Sequence, residues 1–318
     1  MSAATARNLR ITGEDEVMTG LHAAHKRLPC RLLYDAVGAN LFERIMKLDA
    51  YYPARTETQL LTKHLPVIAQ QVGPEVRVIE PGVGNGVKTR QLLQALTRPT
   101  SYVPIDVVRE QLEETAASMR LAVPGLDVQP LLADYTLPFQ LPTPQHASRR
   151  SLVFFPGSTI GNFEPSEARQ FLSMLGRLAG SDRMLLIGAD ATRDPAILMR
   201  AYDDEQGLTA AFDKNILTHL NRTRGATFNL DAFEHRTVWN GEASRIEMHL
   251  VSKRQQIVRI GTSSTIAFAP GESIVTEHCY KHTPQAMQAL LASAGWKPRQ
   301  VFTATEVPYR LWLCDPVK

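Results

Sequence analysis

The segment Val78-Ile79-Glu80-Pro81-Gly82-Val83-Gly84-Asn85-Gly86 limits what this chain can fold into more than any other. The β-branched run 76–80 breaks into a glycine turn, and 88–96 (KTRQLLQAL) then carries apolar residues at helical spacing. Strand, glycine loop and helix in that order demand a tight reversal and leave backbone amides open at a helix N-terminus. The same rhythm extends along the chain. Residues 56–71 predict a helix leading in. Strands at 101–105, 126–132, 151–155 and 184–187 alternate with helices at 109–121 and 165–179. Such alternation implies right-handed crossovers and a parallel sheet covered on both faces, a doubly wound α/β domain over about 58–196.

Outside that region the pattern changes. Residues 14–25 and 34–47 show helical periodicity, as do 196–211 and 214–223, whereas 237–239, 245–252, 256–261 and 265–268 are patterned as antiparallel strands. Arg245-Ile246-Glu247-Met248-His249-Leu250-Val251 alternates apolar with polar, as a half-buried strand does. From Pro284 the earlier rhythm resumes, with a helix over 285–294 ending at Gly295 and strands at 299–303 and 309–314. The expected architecture is a Rossmann-like α/β sheet, 58–196 with 285–318, interrupted by an inserted α+β unit that joins 1–57 to 197–284. No internal repeat or low-complexity tract is visible.

A chain of 318 residues, 44% apolar, has room for about two domains and needs no disulfide or structural metal to build a core. Its 35 Lys and Arg against 32 Asp and Glu are scattered, without a basic stripe, so no nucleic-acid partner is expected. Cys30, Cys279 and Cys314 are odd in number and far apart, without a CxxC, which suggests a reducing cytoplasm and no metal site. The first twenty residues lack an apolar core, and no run approaches the ~18 apolar residues of a membrane span. The expectation is a cytoplasmic protein without membrane contact, whose oligomeric state the sequence does not reveal.

The acidic neighbours of the loop narrow its ligand. Asp106 closes the next strand, where an α/β nucleoside site places a carboxylate on ribose hydroxyls, and Asp134-Tyr135 closes a third, where a carboxylate and a ring can grip an adenine. Glu80 stands ahead of the glycines in an ExGxGxG run. A phosphate would be repelled there, whereas the cationic amine or sulfonium of S-adenosylmethionine is attracted, so this is the pattern of methyltransferases using that cofactor.

Longer segments carry a closer resemblance. LLYDAVGANLFERI (33–46), YYPARTETQLL (51–61), GVGNGVKTRQLL (82–93), FFPGSTIGNFEP (154–165), RAYDDEQGLTAAFDKNIL (200–217), FNLDAFEH (228–235), RIEM (245–248) and TEHCYK (276–281) are similar, in order, to the histidine Nα-methyltransferases of ergothioneine biosynthesis. The resemblance implies S-adenosylmethionine as cofactor and a small amino acid as substrate, trimethylated at its α-amine to the betaine hercynine. It places Glu80, Gly82, Gly84, Lys88, Asp106, Asp134 and Tyr135 around the cofactor. Asn162 and Tyr202 match the pair that binds the substrate carboxylate. Glu277 matches the imidazole acceptor, with Tyr51 beside the ring and Met248 lining the pocket, and Tyr34 and Gly157 match positions near the reacting amine.

By residue type alone these positions read otherwise. The three tyrosines and Met248 would be core residues, Asn162 a cap for the helix near Pro165, and Glu277 a surface carboxylate. The motif match reverses those readings. One departure stands out: where the family has a serine two residues after the glutamate, this chain has Cys279, a weaker hydrogen-bonding group, so another free amino acid is an alternative substrate. His278 and His282 are expected to be structural or solvent-facing. A non-catalytic S-adenosylmethionine-binding regulator is the alternative from a different class, and the retained Tyr34, Gly157 and Asn162 argue against it.

Overall fold

The computed structural model describes residues 15–317, so Glu14, the first residue of the expected N-terminal helix, lies outside them. The strand of the glycine motif, Val76–Pro81, is central in an eight-stranded sheet. It pairs in parallel with Ser101–Asp106 on one side and Arg150–Phe155 on the other. Arg183–Asp190 continues the parallel set beyond Arg150–Phe155, and Tyr309–Pro316 and Trp296–Thr303 close that edge antiparallel. The crossovers leave Val76–Pro81 in opposite directions, so the crevice at the carboxyl ends of the strands opens beside it, where α/β sheets bind ligands. The strands are buried on both faces, as parallel strands under helices must be.

A second sheet has four strands. Lys26–Arg27 runs parallel to Ser273–Tyr280, followed antiparallel by Arg245–Ser252 and Phe233–Asn240. One apolar cluster joins this sheet to residues 17–52 and 198–232, among them Leu33, Tyr51, Tyr202, Phe212 and Met248. Two other clusters lie on the faces of the large sheet.

Several expected elements differ in detail. The strand at 126–132 is two fragments, Asp127–Val128 and Leu131–Leu132, separated by Gln129-Pro130, because proline has no N–H for the ladder. The helix at 196–211 is two: Pro195–Tyr202 stops, and Leu208–Arg224 begins after Gly207, whose φ is +69°. Asp204 caps the second helix by accepting from Leu208 N at 3.0 Å and Thr209 N at 2.7 Å. The lead-in helix starts earlier than expected, as Tyr52–Val72, with Pro53 in its first turn, and it runs through position 57 into the large sheet's packing.

Candidate active site

One cleft of about 940 Å³ runs from the glycine loop to the four-stranded sheet. At its first end Gly82, Gly84 and Gly86 have φ of +72°, +53° and +67°, the left-handed region that glycine occupies without strain. A side chain at Gly86 would come within 2.8 Å of Thr115, so the glycine also lets the loop lie against the following helix, Arg109–Ala122. Asp106 secures the loop from the neighbouring strand, accepting from Val83 N at 3.1 Å and from Val108 N at 3.0 Å, and burial raises its pKa. Tyr135 packs on Phe171, with ring centroids 5.7 Å apart, and its ring lies 3.4 Å from where a Cβ at Gly82 would stand. Asp134 accepts from Thr136 N at 2.9 Å and pairs at 3.1 Å with Arg31, which also lines the cleft.

Glu80 is buried and hydrogen-bonded to Thr89 at 2.7 Å and to Tyr102. Burial pushes its carboxyl up to about 7, against the lowering by those two hydroxyls. Lys88 makes an ion pair with Glu57, which is wholly buried and also accepts from Gly157 N at 2.7 Å. Sequence reasoning misses Glu57. It sits among charged residues of a long helix, and nothing local marks it as reaching inward.

The second end is built around a close approach. The turn Thr159–Asn162 follows Arg150–Phe155 and touches the strand Ser273–Tyr280 at Gly161, where an added Cβ would be 2.6 Å from the Tyr280 carbonyl oxygen. That contact sets Asn162 Nδ2 to donate to Glu277 Oε1 at 2.9 Å, across 115 residues of sequence. Asn162 is not a helix cap; Glu164 and Glu167 form a capping box for Pro165–Ala179. Glu277 follows a bulge at Thr276, which faces Glu277 and Cys279 toward the cleft on a strand where simple alternation would break. Glu277 is 7% exposed, and its second oxygen has no partner among the described residues. Burial, with the Asp213 carboxylate adding to it and Lys281 opposing, pushes Glu277 up to about 8.

Aromatic rings wall this end. Tyr34 meets Phe42 at 5.6 Å and Phe212 at 5.3 Å edge-on, and Tyr51 meets Phe42 and Tyr202 at 5.9 Å each. The hydroxyls of Tyr34 and Tyr51 have no hydrogen-bond partner among the described residues, and both residues line the cleft, as Met248 does. Phe42 and Phe212 are ring partners that helical periodicity alone marks only as core. Gly157, at the junction of the two ends, has φ of +87° and leaves its Cβ position 4.0 Å from Lys88 Nζ.

Cys279 Sγ lies 3.1 Å from the Tyr202 hydroxyl and 3.3 Å from Lys281 Nζ, so its protein partners are a phenol and a buried ammonium. His278 Nδ1 bonds Glu164 at 2.6 Å, and both residues are among those lining the cleft; His282 donates its backbone N–H to Asp190 O at 2.9 Å, and burial pushes its imidazole down to about 4. Glu80, Gly82, Gly84, Lys88, Asp106, Asp134 and Tyr135, expected around the cofactor, thus line the same cleft as Tyr34, Tyr51, Gly157, Asn162, Tyr202, Met248, Glu277 and Cys279. The glycine cradle, the ring over it and the neighbouring carboxylates suit a nucleoside carrying a zwitterionic, cationic tail, and no cluster of basic groups among the described residues of the loop calls for a phosphate.

Comparison with known proteins gives the same picture. The family described as histidine-specific methyltransferase, SAM-dependent, matches residues 13–316. The chain is 39% identical to the histidine N-alpha-methyltransferase of Mycolicibacterium smegmatis, covering 91% of this chain and 90% of that one. It is 38% identical to the protein of the same name from Mycobacterium tuberculosis, over 88% and 87%. Ergothioneine biosynthesis protein 1 of Neurospora crassa is 35% identical over 64% of this chain and 23% of its own length.

Proposed function

The chain belongs to the histidine-specific, S-adenosylmethionine-dependent methyltransferases, and on that premise we propose that it methylates the α-amine of L-histidine three times, giving hercynine, the first step toward ergothioneine. The observation that carries this reading is Glu277: a buried carboxyl group with one open oxygen, set among aromatic rings in the cleft that begins at the glycine loop. An imidazole N–H is a fitting partner for such a group, and Tyr51 stands beside it. Asn162 and Tyr202 supply neutral donors for the substrate carboxylate.

S-adenosylmethionine supplies an activated methyl group on a sulfonium. Lys88, Asp106, Asp134 and Tyr135 are the residues that would hold it, with the backbone of Gly82 and Gly84. The remaining task is positional, since the acceptor must be an unprotonated amine held in line, and orientation alone accounts for several kcal/mol of a barrier, roughly 7–11 at its best. In this reading the amine's proton leaves through Tyr34 Oη, which is free of partners among the described residues, and water. Residues 1–57 and 197–284 act in this reading as the substrate-binding unit over the cofactor domain.

Mass spectrometry of reactions with each of the twenty amino acids and S-adenosylmethionine tests the proposal. Three added methyl groups on histidine are expected. Preferential methylation of another amino acid would replace the substrate, and no transfer to any of them would refute the reading.

A further inference from the structure

Behind one of the two neutral carboxylate donors the structure holds a cation. Lys281 follows the strand Ser273–Tyr280 and shares the face of Glu277 and Cys279 by two-residue alternation. It is 2% exposed. Its Nζ donates to the Tyr202 hydroxyl at 2.9 Å and to Cys279 Sγ at 3.3 Å, and lies 3.0 Å from Asp190 Oδ2. Those contacts use all three ammonium hydrogens. Asp190, also buried, accepts from Tyr52 Oη at 2.5 Å and Thr192 N at 3.0 Å, so the acid balances the cation and is itself well supplied with donors. Burial alone would lower the pKa of Lys281, but Cys279, Asp190 and Tyr52 outweigh it and keep the ammonium charged.

We propose that Lys281 is a positioning residue that makes the Tyr202 hydroxyl a one-way donor, so that the site selects ligands with a free carboxylate. The inference rests on Tyr202 being a carboxylate partner, as in the function above. With Lys281 donating to the phenol oxygen, the phenol's own hydrogen is left for its other neighbour among the described residues, the Cys279 sulfur, or for a ligand. Sulfur is a weak acceptor, and a carboxylate oxygen displaces it. The cation at 4.7 Å from the ring centroid also polarises the phenol in a poorly solvated setting, which strengthens the bond it gives to an anion. Without Lys281 the hydroxyl can turn to accept from a carboxamide as readily as it donates to an acid. The alternation Glu277, Cys279, Lys281 therefore puts a carboxyl and a thiol on the wall of the cleft and an ammonium behind the Tyr202 hydroxyl.

The test is calorimetric titration of histidine and histidinamide into the wild type, Tyr202→Phe, and the charge-balanced pair Lys281→Met with Asp190→Asn. Affinity for S-adenosylhomocysteine and thermal unfolding are measured alongside. The double substitution avoids leaving either buried charge alone. The wild type is expected to favour the acid roughly 10- to 100-fold, the range of one charge-assisted hydrogen bond. Both variants are expected to bring that ratio within about threefold while S-adenosylhomocysteine binds as before. Such a ratio is not moved by a merely structural role. Equal affinities in the wild type, or an unchanged ratio in the double variant, would overturn the proposal. If the double variant does not fold, Tyr202→Phe, which keeps the Lys281–Asp190 pair, decides by the same ratio. If the wild type binds another amino acid instead of histidine, the function reading has failed and the comparison is repeated with that amino acid and its amide; binding of no amino acid overturns both.

Discussion

Glu277→Gln should weaken substrate binding, and in the wild type this pair should cost affinity only on the acid side. The carboxyl is pushed up to about 8, so at pH 7 the free protein holds it mainly protonated. An imidazole titrates near ~6.5. A neutral imidazole has one N–H donor and one acceptor nitrogen, so it can accept from the protonated carboxyl or donate to the ionised one, whereas an imidazolium only donates and needs the ionised carboxyl. Below ~6.5 both partners are protonated before binding, and one proton must leave. Above ~6.5 the neutral imidazole suits either form, so no proton need be lost or taken up on either side of about 8. As far as this pair sets it, affinity should be flat above ~6.5 and fall up to tenfold per pH unit below it, by linkage. The carboxamide of Glu277→Gln cannot ionise, so the charge-assisted form of the bond is lost, and around neutral pH the variant should bind histidine roughly 10- to 100-fold more weakly, the worth of a hydrogen bond to a charged group. Calorimetry reads that affinity, and in two buffers of different ionisation enthalpy it counts the protons directly. Histidine binding by Glu277→Gln within about threefold of the wild type would refute the assignment of the imidazole to Glu277.

Gly161→Ala should force the turn Thr159–Asn162 off the strand, because the new methyl would stand 2.6 Å from the backbone oxygen of Tyr280; histidine affinity should drop at least about tenfold while S-adenosylhomocysteine affinity, read by calorimetry, stays within about threefold. Tyr34→Phe removes a hydroxyl without a partner among the described residues and keeps the ring against Phe42 and Phe212, so melting temperature should hold while turnover falls about 10²-fold in a coupled assay of S-adenosylhomocysteine release; unaltered turnover would take Tyr34 out of the chemistry. Glu57→Gln leaves the Lys88 ammonium without its carboxylate and should cost about 1.5–3 kcal/mol in urea unfolding, since Glu57 is fully buried; a loss under about 0.5 kcal/mol would mean that water already compensates Lys88. Burial raises the thiols of Cys279 and Cys314, so neither should react with a disulfide reagent at about pH 7.5 on the timescale of minutes until the protein is unfolded, which absorbance follows, whereas Cys30 is half-buried on the cleft wall and is replaced by alanine for the assay.

The family's long motifs marked Asn162, Tyr202, Glu277 and the glycine loop, and the strand–helix rhythm of 58–196 and 285–318 announced a doubly wound sheet. Both signals are local: periodicity follows from where successive side chains point, and a glycine turn from what φ a Cβ forbids. Only the tertiary structure decided what those residues meet. The hydrogen bond from Asn162 to Glu277 depends on Gly161 lying against Tyr280, and on the placement of Glu277 after a bulge that no alternation reveals. The sequence at 57 and at 281 shows a charged residue among others, each of which proves to be buried, one against Lys88 and Gly157 and the other against Asp190, Tyr202 and Cys279. Burial and its effect on pKa arise from contacts separated by tens to hundreds of residues, because the dielectric around a group is set by everything packed against it. Short-range pattern determined the fold class and the loop; long-range packing determined which of the charged and polar side chains came together in the cleft.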